Sequence, residues 1–157
     1  MIEGVKVIPI DTKKDDRGYL NQIPEDLIKY ERIYSITNWS KDTIRAFHKN
    51  INEWKIFFVV KGSARFIIID DRDPNNILKD EIIMSDKKSE VLVFPPEVWN
   101  GWVSLESGTI LLGASDTPLA GHKDERKNPH YFCEHSIAGQ NKYIRSIEEK
   151  GWRCLWE

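Results

Sequence analysis

Cysteine is scarce: Cys133 and Cys154 are the two in 157 residues. Two cysteines make no disulfide framework, and the expected setting is reducing and cytoplasmic. Long apolar runs are missing as well. The longest is Ile56 to Val60, far below the ~20 residues a membrane-crossing helix needs, so no membrane association is expected. Met1 to Lys6 has no basic stretch followed by an apolar one, so no signal peptide is expected. Nor is there an excess of one charge. Lys plus Arg is 23 and Asp plus Glu is 25, a net charge of −2. Without a basic surplus, nucleic acid is not an expected partner. What remains is a globular balance, 40% hydrophobic and 31% charged, which argues against a disordered chain. The length suits one domain. Residues 1–117 are expected to form its body, and 118–157 a C-terminal loop and helix packed on it.

Most of the body reads as short strands rich in β-branched and aromatic residues: Val5–Ile10, Arg32–Thr37, Thr43–His48, Lys55–Val60, Ala64–Asp70, Asn76–Met84, Val91–Phe94, Val98–Leu105 and Thr109–Ala114. Lys61-Gly62-Ser63, Asp73-Pro74-Asn75 and Pro95-Pro96 supply turns between them. A strand every 8–12 residues or so predicts an antiparallel sandwich or barrel. Two helices are expected. Pro24–Tyr30 opens with proline and acids, and Lys142–Lys150 puts Tyr143, Ile144 and Ile147 on one face before Gly151. From Pro118 to Asn141 the chain is polar and reads as loop. Its His130-x-x-Cys133-x-His135 matches no zinc spacing.

Alternation assigns faces. Lys55 shares one with Phe57 and Val59. Arg45 and His48 fall on opposite faces, and they line one pocket only if the strand bends, bulges or ends between them.

The residues then follow a specific order. Asp16-Arg17-Gly18 comes first, then Arg32-Ile33-Tyr34, Ile44-Arg45-Ala46-Phe47-His48 and Lys55 opening an apolar strand. Gly62 turns the chain, Asp70-Asp71-Arg72 follows, and Phe94-Pro95-Pro96-Glu97-Val98-Trp99-Asn100-Gly101 closes the series. This order resembles the sugar-nucleotide cupins, the dTDP-4-keto-6-deoxyglucose 3,5-epimerases and the related 3,4-ketoisomerases. The resemblance implies an all-β antiparallel jelly-roll (cupin) barrel, usually a homodimer. Its nucleotide-sugar substrate would sit in the barrel mouth, with no cofactor and no metal. The expected activity is an epimerase on a dTDP-linked 4-keto-6-deoxy sugar, serving polysaccharide or glycoside biosynthesis. The alternatives are a 3,4-ketoisomerase and a binding-only cupin.

The resemblance also assigns roles. His48 matches the base that takes a proton next to the ketone, Lys55 the cation that stabilises the enolate, and Arg45 a phosphate or sugar ligand. Arg17, Asn100, Trp99 and Trp102 are expected at the substrate, the tryptophans stacking on the base or sugar ring. Asn100 stands where the epimerases carry histidine, and Gly113 where they carry the proton-returning tyrosine. Tyr34, on another strand, is the expected stand-in acid. Asn50 stands where the ketoisomerases carry the second histidine of His-x-His. With Asn50, Glu53 and Asn100 beside His48, one strong ligand is too few for a barrel metal.

Overall fold

Several strands are apolar on both faces, and a strand of that kind is stable only when both faces are covered. The computed structural model meets this demand with two five-stranded antiparallel sheets packed face to face; it describes residues 1–132 and Trp156. The strands are β1 (Lys6–Pro9), β2 (Asp11–Asp15), β3 (Gly18–Gln22), β4 (Arg32–Asn38), β5 (Ile44–Asn50) and β6 (Lys55–Lys61). They continue with β7 (Ser63–Asp70), β8 (Leu78–Ser85), β9 (Glu90–Phe94), β10 (Trp99–Ser104), β11 (Thr109–Ser115) and β12 (Asp124–Arg126). One sheet runs β1-β9-β6-β11-β4 and the other β12-β5-β10-β7-β8. The all-β antiparallel barrel expected from the sequence is the fold observed.

Phe57, Val59, Phe66, Ile68, Leu92, Phe94 and Leu111 fill the space between the sheets. Phe57 stacks on Phe66 at a ring separation of 5.7 Å. The alternate residues face outward and are covered in turn. Ile56, Phe58, Val91 and Val93 lie beneath Ile23, Leu27, Ile28 and Tyr30. Phe47, Ile67, Ile69 and Trp99 pack with Phe132, Tyr131 and Trp156. Burial of each such side chain contributes about 1.5–3 kcal/mol.

Two expectations change. Pro24–Tyr30 is not helical but a run of turns. Seven residues are too few for a self-supporting helix. The segment is held instead by Leu27 and Ile28 docking on the sheet and by the Tyr30 hydroxyl donating to the Pro24 carbonyl at 2.6 Å. Residues from 118 onward are not simply loop. A short 3-10 turn, Leu119–Gly121, leads into β12, which pairs with β5 and carries the sheet past residue 117. The polar Asp11–Gln22 segment forms an exposed hairpin, β2–β3. The expected helix at Lys142–Lys150, together with Cys133, His135 and Cys154, lies outside the described residues.

Candidate active site

Arg45 and His48 do share a face, because the strand between them bulges. β10 advances from Asn100 to Trp102 while its partner β5 advances from His48 to Arg45, one residue more. The extra residue restores the inward direction of Arg45, as a β-bulge does, while Phe47 packs outward against Phe132. Gly101 makes room for the bulge. A side chain there would collide with the Ala46 Cβ and lie 3.1 Å from its Cα.

The opposite wall is regular from Leu112 to Ser115, its β11–β6 register shift falling at Ile110/Leu111. Across β4, β11 and β6, Tyr34 faces Gly113 and Lys55 faces Ser115. The Tyr34 ring lies over Gly113, where a Cβ would come within 2.5 Å of its Cε2 and 2.9 Å of its hydroxyl. The phenol thus fills the space that a side chain at 113 would occupy.

Between the walls is a cavity of about 640 Å³, within the usual range for small-molecule sites. His48, Lys55, Tyr34, Arg45, Asn100 and Trp102 all line it, so six of the expected site residues meet in one place. Two do not. Trp99 is one residue away from Asn100 on an alternating strand and faces outward. It is 2% exposed, and its indole N–H donates to Asp71 at 2.9 Å. Arg17 sits at the tip of the β2–β3 hairpin, 86% exposed and paired with Asp15 at 2.5 Å, away from the cavity.

Glu53, a residue the sequence did not single out as part of the chemistry, organises the inner end. Its side chain is 0% exposed and gathers Lys55 Nζ at 2.9 Å, Arg32 Nη2 at 3.0 Å and the Ser115 hydroxyl at 2.6 Å. His122 Nδ1 lies 2.9 Å away, off the line of a hydrogen bond. Burial is the largest influence on the Glu53 pKa and pushes it up. Ser115, Lys55 and Arg32 together outweigh it and hold the carboxyl below its ordinary value. A buried carboxylate with that many donors keeps Lys55 in place; removing it would strand buried cations. Arg32 and Lys55 also flank the Tyr34 ring, at 5.7 and 6.0 Å from its centroid.

β12 and the turn before it supply what the reading of Pro118–Asn141 as loop missed. His122, Asp124 and Arg126 line the cavity. Asp124 Oδ2 lies 3.8 Å from His48 Nδ1, which leaves Nε2 for a substrate. Burial, then Arg126, depresses the His48 pKa below its ordinary 6.5 against the pull of Asp124. The imidazole is therefore neutral, and able to accept a proton, at neutral pH. Burial raises the Tyr34 pKa to about 12, so its phenol stays protonated and able to donate. Burial also lowers the Lys55 pKa, with Glu53 opposing. Arg45 is fixed by Nε donating to Asn38 Oδ1 at 2.7 Å and Nη2 to the Thr37 carbonyl at 3.3 Å. Asn100 donates to the His48 carbonyl at 2.8 Å, and Trp102 closes the floor against Phe66. No cluster of potential metal ligands occurs among the described residues.

Comparison with known proteins agrees with the sequence resemblance. Residues 3–133 match the family described as FdtA: WxcM-like, C-terminal. The spore coat polysaccharide biosynthesis protein SpsL of Bacillus subtilis (strain 168) is 27% identical over 107 residues, 65% of this chain and 71% of that protein. A dTDP sugar isomerase from Desulfovibrio desulfuricans G20 superposes with a TM-score of 0.76 at 17% identity, over 90% of this chain and 96% of that one. QdtA, a sugar 3,4-ketoisomerase from Thermoanaerobacterium thermosaccharolyticum solved in complex with TDP, gives 0.67 at 20% identity, over 96% and 98%. At such identities the structural likeness carries the fold. No helix among the described residues is long and apolar enough to cross a membrane.

Proposed function

Because the chain belongs to the FdtA (WxcM-like, C-terminal) family, we propose that it is an isomerase of a dTDP-linked 4-keto-6-deoxy sugar. In this reading it epimerises a carbon next to the ketone. One observation carries it: a neutral base, His48, stands on one sheet and a protonated acid, Tyr34, on the sheet facing it, with Lys55 beside the acid. His48 Nε2 takes the hydrogen on the carbon next to the ketone. The C–H electrons form the carbon–carbon double bond of an enolate, and the Lys55 ammonium stabilises the oxygen that gains charge. Tyr34 then returns a proton to the other face; solvent takes the abstracted proton from His48 and restores the phenol. Arg45, already oriented by Asn38 and Thr37, receives the diphosphate, for which its planar fork is suited.

A second reading is the 3,4-ketoisomerase, favoured by the family match and by the likeness to QdtA. One base serves both steps there, as the ketone moves to the neighbouring carbon. Incubation of dTDP-4-keto-6-deoxyglucose in deuterated water, followed by NMR, separates the two. An epimerase keeps the carbonyl at C4 and inverts a deuterated neighbour. A ketoisomerase moves the carbonyl to C3 and places deuterium at C4. Binding without exchange would overturn both in favour of a binding-only cupin.

The homodimer belongs to the same proposal. The β2–β3 hairpin exposes Tyr19 and Leu20 at 58% and 56%, apolar surface of the kind a second copy covers. Sedimentation at micromolar concentration should give twice the chain mass; a monomer would contradict it.

A further inference from the structure

Buried polar groups are normally hydrogen-bonded, and those that are not point to an occupant. Four buried polar atoms without a hydrogen-bond partner among the described residues gather on this cavity: Arg32 Nη1, His122 Nδ1, and both Oδ1 and Nδ2 of Asn50. His122 has Glu53 beside it, and Arg32 has its other nitrogen on the same carboxylate. Asn50 has neither. Its residue is 2% exposed, so the carboxamide is denied solvent as well as a protein partner. Its backbone is fully engaged, the carbonyl accepting from the Glu97 N–H at 2.7 Å and the strand pairing with Asp124. The position is therefore held firmly while the side chain is left unsatisfied, an arrangement that costs stability unless something else completes it.

Asn50 stands two residues beyond His48 on the same strand face, at the end where Arg32, Lys55 and Glu53 meet. Arg45 lies at the other end of β5, roughly 15 Å away at the rise of an extended strand. A ligand with its diphosphate at Arg45 and its reacting carbon at His48 reaches Asn50 with its sugar, not with its base.

We infer that the Asn50 carboxamide, with Arg32 Nη1 on the same cavity, is a specificity-determining site that recognises a carbonyl and the hydroxyl on the carbon next to it. A carboxamide offers one donor and one acceptor side by side. An α-hydroxy ketone presents the complementary pair: the ketone oxygen accepts from Nδ2 and the neighbouring hydroxyl donates to Oδ1. Arg32 Nη1 supplies a further donor to an oxygen of the same ring. The inference rests on the functional reading above and adds which part of the substrate is read, and by which residue. It follows that a sugar nucleotide lacking either oxygen is discriminated against strongly, since a site built for hydrogen bonding rejects an analogue that leaves it unpaired.

Calorimetric titration of the wild type and Asn50→Leu with dTDP-4-keto-6-deoxyglucose and with dTDP alone tests it. The preference of the wild type for the sugar nucleotide over dTDP should fall at least tenfold in Asn50→Leu, while dTDP binds both proteins equally. The variant's Tm should be unchanged or higher, because an apolar side chain of similar size removes unpaired polar atoms. If Asn50→Leu does not fold, Asn50→Asp, which keeps the size and acceptors but not the donor, should show the same loss of preference. A wild type with no preference for the sugar nucleotide removes the functional reading itself. A preference that survives in the variant overturns the assignment of Asn50 alone. Equal weakening of both ligands also overturns it, putting the amide on the nucleotide.

Discussion

The wall made of β4, β11 and β6 keeps its register through the site, whereas the wall made of β5 and β10 breaks it between Arg45 and His48. On the regular wall, alternation alone points Tyr34 and Lys55 inward, and the missing side chain of Gly113 gives the phenol its place. On the other wall, an extra residue at the bulge turns a strand that alternation would split between two faces into one that presents a base and a cation together. The difference teaches that a site of this kind needs both devices. The regular wall provides groups held by ion pairs, the bulged wall groups aimed by backbone geometry.

The regular wall breaks most heavily at Lys55. Lys55→Met removes the cation that answers the enolate, and kcat for exchange of the substrate hydrogen should fall roughly a thousandfold. Retention of more than a tenth of the rate would show that the charge is supplied elsewhere. The two glycines sharpen the contrast between the walls. Gly113→Ala pushes against the edge of the Tyr34 ring, a side chain that can move. Its activity should fall about a hundredfold, the worth of a misplaced general acid, with Tm nearly unchanged. Gly101→Ala pushes against Ala46, backbone included. Its main effect should be a stability loss of about 1–3 kcal/mol by denaturant unfolding, together with lower activity. Equal effects of the two changes on Tm would erase the distinction between the walls.

The smallest expected effect lies at the edge of the bulged wall. Arg126, next to His48 in the register with β12, disfavours the protonated imidazole. The acid limb of kcat/KM should therefore fall below pH 6.5, and Arg126→Gln should move it to higher pH, because the imidazolium is no longer repelled. A limb that stays put or moves to lower pH would contradict that account of His48. A basic limb is expected below 10.5, where Lys55 loses its charge.

Much of this was legible in the sequence. Runs such as Ile56 to Val59 and Phe66 to Ile69 have the length and β-branching of strands buried on both sides, and the resemblance to the sugar-nucleotide cupins singled out His48 and Lys55, with Tyr34 as the stand-in acid. β12 escaped because Asp124, Glu125 and Arg126 carry no apolar signal, and the strand exists only by pairing with β5. Glu53 meets Ser115 across 62 positions, a proximity that no local pattern encodes. Trp99 differs from its expected place because odd and even residues of β10 face opposite ways: with Asn100 and Trp102 turned to the cavity, Trp99 points away from it and bonds Asp71.

The most direct measurement compares wild type and His48→Asn, at equal folded concentration, for incorporation of solvent deuterium next to the ketone of dTDP-4-keto-6-deoxyglucose. The account predicts exchange in the wild type and a loss of at least a thousandfold in the variant, with dTDP binding intact. Exchange at an undiminished rate in His48→Asn would mean that another group removes the proton.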